Sequence, residues 1–295
     1  MTRARWRRLR GRLLAALLRP LAAGLGRASL VGAQRAGRWI GRAAWALGRR
    51  DRRRALEHLA LALPELPEAE RRRIARGSML HQGVTLAETL HLSRRSCADV
   101  ERYVDAEGWE GVEALAAAGR PVMILTGHCG NWELLAALIN CRGLGMSVVA
   151  RRLDEPELQE LLLAARRRFG TETIERGAPG ASRRLLRVLR EGGALGMLID
   201  QDTRVEAVWV DFFGRPAHTP VGAAKIALRV GAAVVPSFIE RRADGRHLAR
   251  FLPPLDLPAD PTEATARMTA AIEAQVRRVP EQWVWMHRRW RRRPA

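Results

Sequence analysis

Long apolar runs are missing from this chain. Arg12, Arg19, Arg27, Arg35, Arg38 and Arg42 cut every apolar stretch near the front well short of the roughly 20 residues a membrane-spanning helix needs. A secretory leader is argued against on the same ground, because the run at residues 13–18 is short and Arg19 follows at once. Lysine is nearly absent, with Lys225 alone against fifty arginines, a ratio that reflects coding bias more than chemistry. Cysteine is scarce. Cys97, Cys129 and Cys141 have neither metal-ligand spacing nor a disulfide pattern, so a reducing, cytoplasmic setting is expected. Internal repeats and low-complexity linkers are absent as well.

What is present is charge, placed unevenly. The 295 residues are 47% hydrophobic, enough for one large domain or two small ones. The net charge is +20, of which residues 1–54 carry +15 and residues 287–295 carry +5, so the body between is neutral. Basic ends on a neutral body point to a polyanionic partner, either nucleic acid or an acidic membrane. Six of the nine tryptophans (Trp6, Trp39, Trp45, Trp283, Trp285 and Trp290) lie in or beside these ends. Tryptophan suits the headgroup level of a bilayer, can also stack on bases, and in the blandest reading is a core anchor beside solvated arginines.

Spacing favours the membrane. Leu13, Leu14, Leu17, Leu18 and Leu21 form one apolar stripe at helical period, and Trp39, Ile40, Ala43, Ala44 and Leu47 repeat it. Pro20 is expected to bend the first helix. Residues 1–48 therefore read as basic amphipathic helices lying on an anionic membrane surface, and residues 49–295 as the main domain.

From about residue 121 short apolar runs alternate with helical patterns, the mark of an α/β domain. Strands are expected at 121–126, 147–150, 194–199, 232–239 and 247–252. Helices are expected from Asn131, from an Asp154 cap to Phe169, over 181–190, from a Thr219 cap, and over 261–279. Residues 51–95 read as wholly helical, a cap or bundle beside the sheet.

The chemistry sits in TGHCGNWE at 126–133. Gly127 and Gly130 allow a tight path after the strand, and Asn131 is a good N-cap that puts Glu133 in the first helical turn. On one continuous helix His128 and Glu133 would point about 140° apart. The turn between them lets the two face each other, an imidazole with a carboxylate to fix its tautomer and orientation, suited to a general base. Cys129 could be a nucleophile. Adjacent residues rarely present both side chains to one substrate, so packing is its expected role.

The segment GHCGNWE resembles the HX4D/E motif of the lysophospholipid acyltransferase superfamily, and within it the late lauroyl/myristoyl acyltransferases of lipid A biosynthesis and their relatives that acylate phosphatidylinositol mannosides. RRRALEHLALALPEL at 52–66, IDQD at 199–202, DFFGRPAHTPVGAAKIAL at 211–228 and PEQWVWMHRRWRRRP at 280–294 read like the same family, in its usual order. His58 and Ala150 depart from its pattern, where Asn and an aromatic are common.

The resemblance implies an αβα sandwich around a mostly parallel sheet, a membrane-associated front part, no metal and no cofactor. It implies an acyl carrier protein or acyl-CoA thioester as donor, a glycolipid or lysolipid as acceptor, and a site at the cytoplasmic face of the inner membrane. His128 and Glu133 are then the candidate catalytic pair. Asn131, Arg151, Asp200, Asp202 and Arg215 are the candidate substrate-binding residues, the two arginines for an anion and Arg215 beside a second helix N-terminus. The expected reaction is O-acyl transfer to a lipid A precursor. A phosphatidylinositol mannoside or a lysophospholipid is the alternative acceptor. The rival from another class is an Arg-rich nucleic-acid binder, which would show steep salt dependence and no need of His128.

Overall fold

The computed structural model describes residue 16 and residues 20–153 and 156–290. Most of the first leucine stripe and the Asp154 cap lie outside them. Residues 20–27 are helical, and the Ser29 hydroxyl then accepts from the Gly32 amide to open α1 (Leu30–Leu47). The stripe at Trp39 and Leu47 faces outward, those two side chains being 68% and 82% exposed. Its inner side carries Ala33, Gly37 and Gly41, together with Gln34, whose Nε2 donates to Glu88 Oε1 at 2.8 Å. A Cβ at Gly37 would stand 2.5 Å from Val84 Cα, and one at Gly41 2.4 Å from Leu80 Cα, so α1 lies backbone to backbone on a long helix behind it. After α2 (Arg49–Ala62) a break holding Pro64 and Pro67 interrupts the helical stretch, and that long helix, α3 (Glu68–Leu92), follows.

Seven strands form one sheet in the order β1 (Val104–Glu107), β9 (His247–Phe251), β8 (Ala233–Arg241), β2 (Val122–Thr126), β5 (Ala194–Leu198), β3 (Met146–Ala150) and β4 (Glu172–Glu175). Every neighbouring pair is parallel except β8 and β9. β2 is buried throughout, as a run of PVMILT in a parallel sheet requires. Its residues alternate between two cores. Val122 and Ile124 pack with α4 (Cys97–Tyr103), α5 (Trp109–Ala117) and α6 (Trp132–Cys141). Met123 and Leu125 pack with α8 (Ala181–Arg190), α9 (Gly222–Val230) and α10 (Pro261–Arg278). Helices on both faces of a mostly parallel sheet make the expected αβα layering. The remaining helix, α7 (Pro156–Arg167), follows β3 and leads into β4.

Three expectations are corrected here. Thr219 does not cap a helix: α9 starts at Gly222, and Thr219 is buried in β7 (Arg215–Pro220). That strand pairs with β6 (Ala207–Phe212) in an antiparallel hairpin whose two loop residues, Phe213 and Gly214, have φ of 56° and 66°. Positive φ at both positions is the two-residue hairpin turn that matches strand twist, and the Phe213 amide is held by Glu273 Oε2 at 2.5 Å. Second, Cys97 and Cys141 form a disulfide between the start of α4 and the end of α6, their Cα atoms 5.3 Å apart. The cysteines therefore no longer argue for a reducing compartment.

The third concerns the back end. Trp283 and Trp285 are fully buried and Arg289 is 0% exposed, its guanidinium bonded to the His218 carbonyl and the Thr219 hydroxyl. These tryptophans are core anchors rather than headgroup anchors, and at least one tail arginine is structural.

Candidate active site

The parallel register of β2 on β5 pairs Thr126 with Leu198. Carrying that register two residues past the strand ends sets His128 beside Asp200. The Asp200 carboxylate, 1% exposed, accepts the His128 backbone amide at 2.8 Å and faces His128 Nδ1 at 2.8 Å, while Trp283 Nε1 donates to it at 2.8 Å. Burial opposes the Asp200 charge, but the His128 charge and hydrogen bonds, together with Trp283, outweigh it and hold the carboxyl at about 2. An ionised carboxylate can only accept, so the ring nitrogen facing Asp200, His128 Nδ1, carries a proton, and Nε2 is the nitrogen left to exchange one with a substrate. The Trp132 ring stands edge-on to the imidazole at 4.9 Å.

The backbone beneath is cramped. A Cβ at Gly130 would meet the Ile239 carbonyl at 1.6 Å, and the residue sits at φ 68°, so only glycine fits. Cys129 between them is 1% exposed, and burial pushes its thiol well up, so it stays protonated and packs.

The carboxylate that fixes His128 is thus Asp200 and not Glu133. Glu133 does lie in the first turn of α6, but its two oxygens take Arg166 Nε at 2.9 Å and Arg166 Nη2 at 2.7 Å. Asn131 caps α6 through the Leu134 amide and donates to Glu88 Oε2 at 2.9 Å; fully buried, it is structural and not open to substrate. Asp202 lines the cleft described below, with His218 Nδ1 at 3.1 Å from its carboxylate. Arg215 is displaced from the site. It opens β7 on the surface, its Nε bonded to the Leu61 carbonyl, because the hairpin turn takes the place of the expected helix start.

His128 opens into a cleft of about 810 Å³ at the carboxyl ends of β2, β3 and β5, the ligand edge of an open α/β sheet. One wall is apolar: Leu86, Trp132, Leu135, Met146, Val148 and Leu162. Arg151, Arg176 and Arg204 also line it, as do His287 and the Glu133–Arg166 pair. Arg151 and Arg176 follow register partners, since β3 pairs Ala150 with Glu175. Motif reading missed Arg166, Arg176, Arg204 and His287. For the first three no local signal distinguishes them among fifty arginines.

An imidazole held by a buried carboxylate at the sheet's carboxyl edge, over a cleft lined by apolar side chains and arginines, is an arrangement suited to group transfer onto a substrate with a long apolar part. The chain belongs to the bacterial lipid A biosynthesis acyltransferase family, whose model matches residues 23–292. It is 30% identical to the lipid A biosynthesis myristoyltransferase of Escherichia coli K12 over 84% of this chain and 77% of the relative. It is 27% identical to the lipid A biosynthesis lauroyltransferase of the same strain, over 80% and 78%. Its identity to the phosphatidylinositol mannoside acyltransferase of Mycobacterium tuberculosis H37Rv is 28%, over 67% and 62%. The chain is an acyltransferase.

Proposed function

We propose that this enzyme moves a fatty acyl group from an acyl carrier protein or acyl-CoA thioester to a hydroxyl of a membrane glycolipid, a lipid A precursor. The observation that carries the reading is the His128–Asp200 pair opening on the 810 Å³ cleft. His128 Nε2 takes the hydroxyl proton as the oxygen adds to the thioester carbonyl. The tetrahedral intermediate then collapses, the C–S bond breaks, and the imidazolium returns its proton to the departing thiolate. Asp200 remains ionised throughout and stabilises the imidazolium, as its low pKa requires.

The apolar wall suits the acyl chain. Arg151, Arg176 and Arg204 suit phosphate oxygens, either of the acceptor or of the phosphopantetheine arm common to both donors. Glu133 belongs to the wall, where it holds Arg166 in place.

Membrane contact is assigned to the front. The outer side of α1 carries exposed Val31, Trp39 and Leu47, with Arg42 stacked 4.7 Å over the Trp39 ring. No described helix is long and apolar enough to cross a membrane, and the placement proposed for α1 is on the surface of the inner membrane, at its cytoplasmic face. The similarity to phosphatidylinositol mannoside acyltransferases supports a glycosylated phosphoinositide as the second acceptor reading.

The test is acyl transfer by purified enzyme to a phosphorylated lipid A precursor, to its dephosphorylated form and to a phosphatidylinositol mannoside. The precursor is expected to be the best acceptor and His128→Ala to lower the rate about 100-fold or more. Undiminished transfer by His128→Ala would overturn the mechanism, and preference for the mannoside would replace the acceptor.

A further inference from the structure

His128 accounts for the proton, but not for the charge that develops on the thioester oxygen when the acceptor adds. That oxyanion needs a donor already aimed at it, because a fixed dipole in a dry site costs no reorganisation at the moment of reaction. A second imidazole lines the same cleft. His287 is half-buried, and its Nδ1 is a buried atom with no hydrogen-bond partner among the described residues. Native interiors rarely leave such a nitrogen unsatisfied without a reason. An enclosed N–H without an acceptor is the rarer case in native interiors, so the proton is assigned to the other ring nitrogen, Nε2.

The ring's backbone is rigidly held. Its own amide bonds the Val284 carbonyl at 3.1 Å, and the buried Trp283 and Trp285 precede it. His58 Nδ1 lies 2.8 Å from the Trp285 carbonyl, and Arg54 reaches the Met286 carbonyl at 3.1 Å. On its other side Arg289 is pinned to β7 through His218 and Thr219. The charged and titratable groups around the imidazole are Asp200, His128, Arg289 and Asp202, and burial outweighs the two carboxylates and keeps it neutral, its pKa brought down to about 4. A neutral imidazole beside a base that must become cationic leaves the base free to charge.

We propose that His287 donates an Nε2–H hydrogen bond to the thioester carbonyl oxygen as negative charge develops there. The oxygen gains charge as the acceptor C–O bond forms and loses it as the C–S bond breaks, and His287 keeps its proton at both stages. This rests on His128 being the base.

The experiment compares His287→Gln, which keeps an N–H donor, with His287→Leu, which fills similar space without one, and with His287→Ala. Each is measured by steady-state transfer, by thermal melting, and by binding of a thioether donor analogue that lacks the carbonyl. Loss of one oxyanion donor is expected to lower kcat about 100- to 1,000-fold in the Leu and Ala variants. KM and thioether binding should stay within about threefold, and Gln should recover much of the rate. Wild-type kcat in folded His287→Leu, or a loss carried by KM and thioether binding, would overturn the proposal. So would equal rates for Gln and Leu. Since His128→Ala is assayed alongside, failure of the base is read separately: a dead His128→Ala with a normal His287→Leu sinks this inference alone.

Discussion

The two ends of the chain share a composition, arginine with tryptophan, and meet opposite fates. At the front Trp39 stands 68% exposed under a stacked Arg42; at the back Trp283, Trp285 and Arg289 are each 0% exposed. The difference lies in what each end packs against. α1 meets α3 through Ala33, Gly37 and Gly41, with Gln34 bonded to Glu88, and its large apolar side chains at Val31, Trp39 and Leu47 are left on the outer side. The back segment runs alongside the His128 loop, where Cys129 and Trp283 form a bridge and the Gly130 amide bonds the Gln282 carbonyl. Its tryptophans complete the core under the His128–Asp200 pair. Charge and aromatic content therefore do not tell a surface anchor from an interior one; the packing partner does.

Four perturbations sharpen or break this contrast. The largest effect is expected from Trp283→Ala, which opens a cavity in the core that holds Met123 and Leu125 and removes a donor from Asp200. Denaturant unfolding should show a loss of about 3–5 kcal/mol. A loss under 1 kcal/mol would mean that the back end is not a core element.

Next come the two carboxylates. Asp200→Asn should lower kcat roughly 100-fold or more by removing the acceptor that fixes the His128 tautomer. Glu133→Gln, which weakens only the bond to Arg166, should cost less in kcat and act mainly on KM. Equal kcat losses would return Glu133 to the imidazole.

The third perturbation is acid. Burial is the first cause holding His58, His91 and His287 below their ordinary pKa, and it holds His81 well below. The unfolded chain takes up a proton at each near pH 6.5, which the folded chain refuses until lower pH, at about 4 for His287. Their contribution to stability is therefore intact above pH 6.5 and declines as pH falls from there toward 4. His58 and His287 both belong to the packing of the back segment, and residues 1–54 contain no histidine. Melting of His287→Gln should decline less steeply across that window than wild type, and a parallel decline would place the pH sensitivity elsewhere.

The smallest effect on stability is expected at Trp39. Trp39→Ala should change unfolding by no more than about 0.5 kcal/mol while weakening binding to anionic vesicles in a flotation assay. A large destabilisation would make the front end a core element too.

Much of the molecule was legible in order. A run of buried β-formers placed β2, Asn131 capped α6, and helix period placed α8 at residues 181–190. Less legible were β1 and β4, because VDAE and ETIE are four residues long with one buried position each; their partners make them strands. The hairpin was hidden for another reason. Phe213 takes the positive φ that glycine usually supplies, and the turn moves Arg215 out of the site.

The residues themselves determined the family, the α/β alternation, the histidine that opens on the cleft and the charge at both ends. Motif and period are properties of neighbours along the chain, and each of these is local. Tertiary structure decided which carboxylate serves His128, choosing Asp200 from 72 residues away over Glu133 from five. It also decided which arginines line the cleft, which cysteines pair and which tryptophans are buried. Those outcomes depend on the register of one parallel strand against another and on which side of a helix holds its glycines. Both are set by how the whole core closes, and no window of sequence contains them.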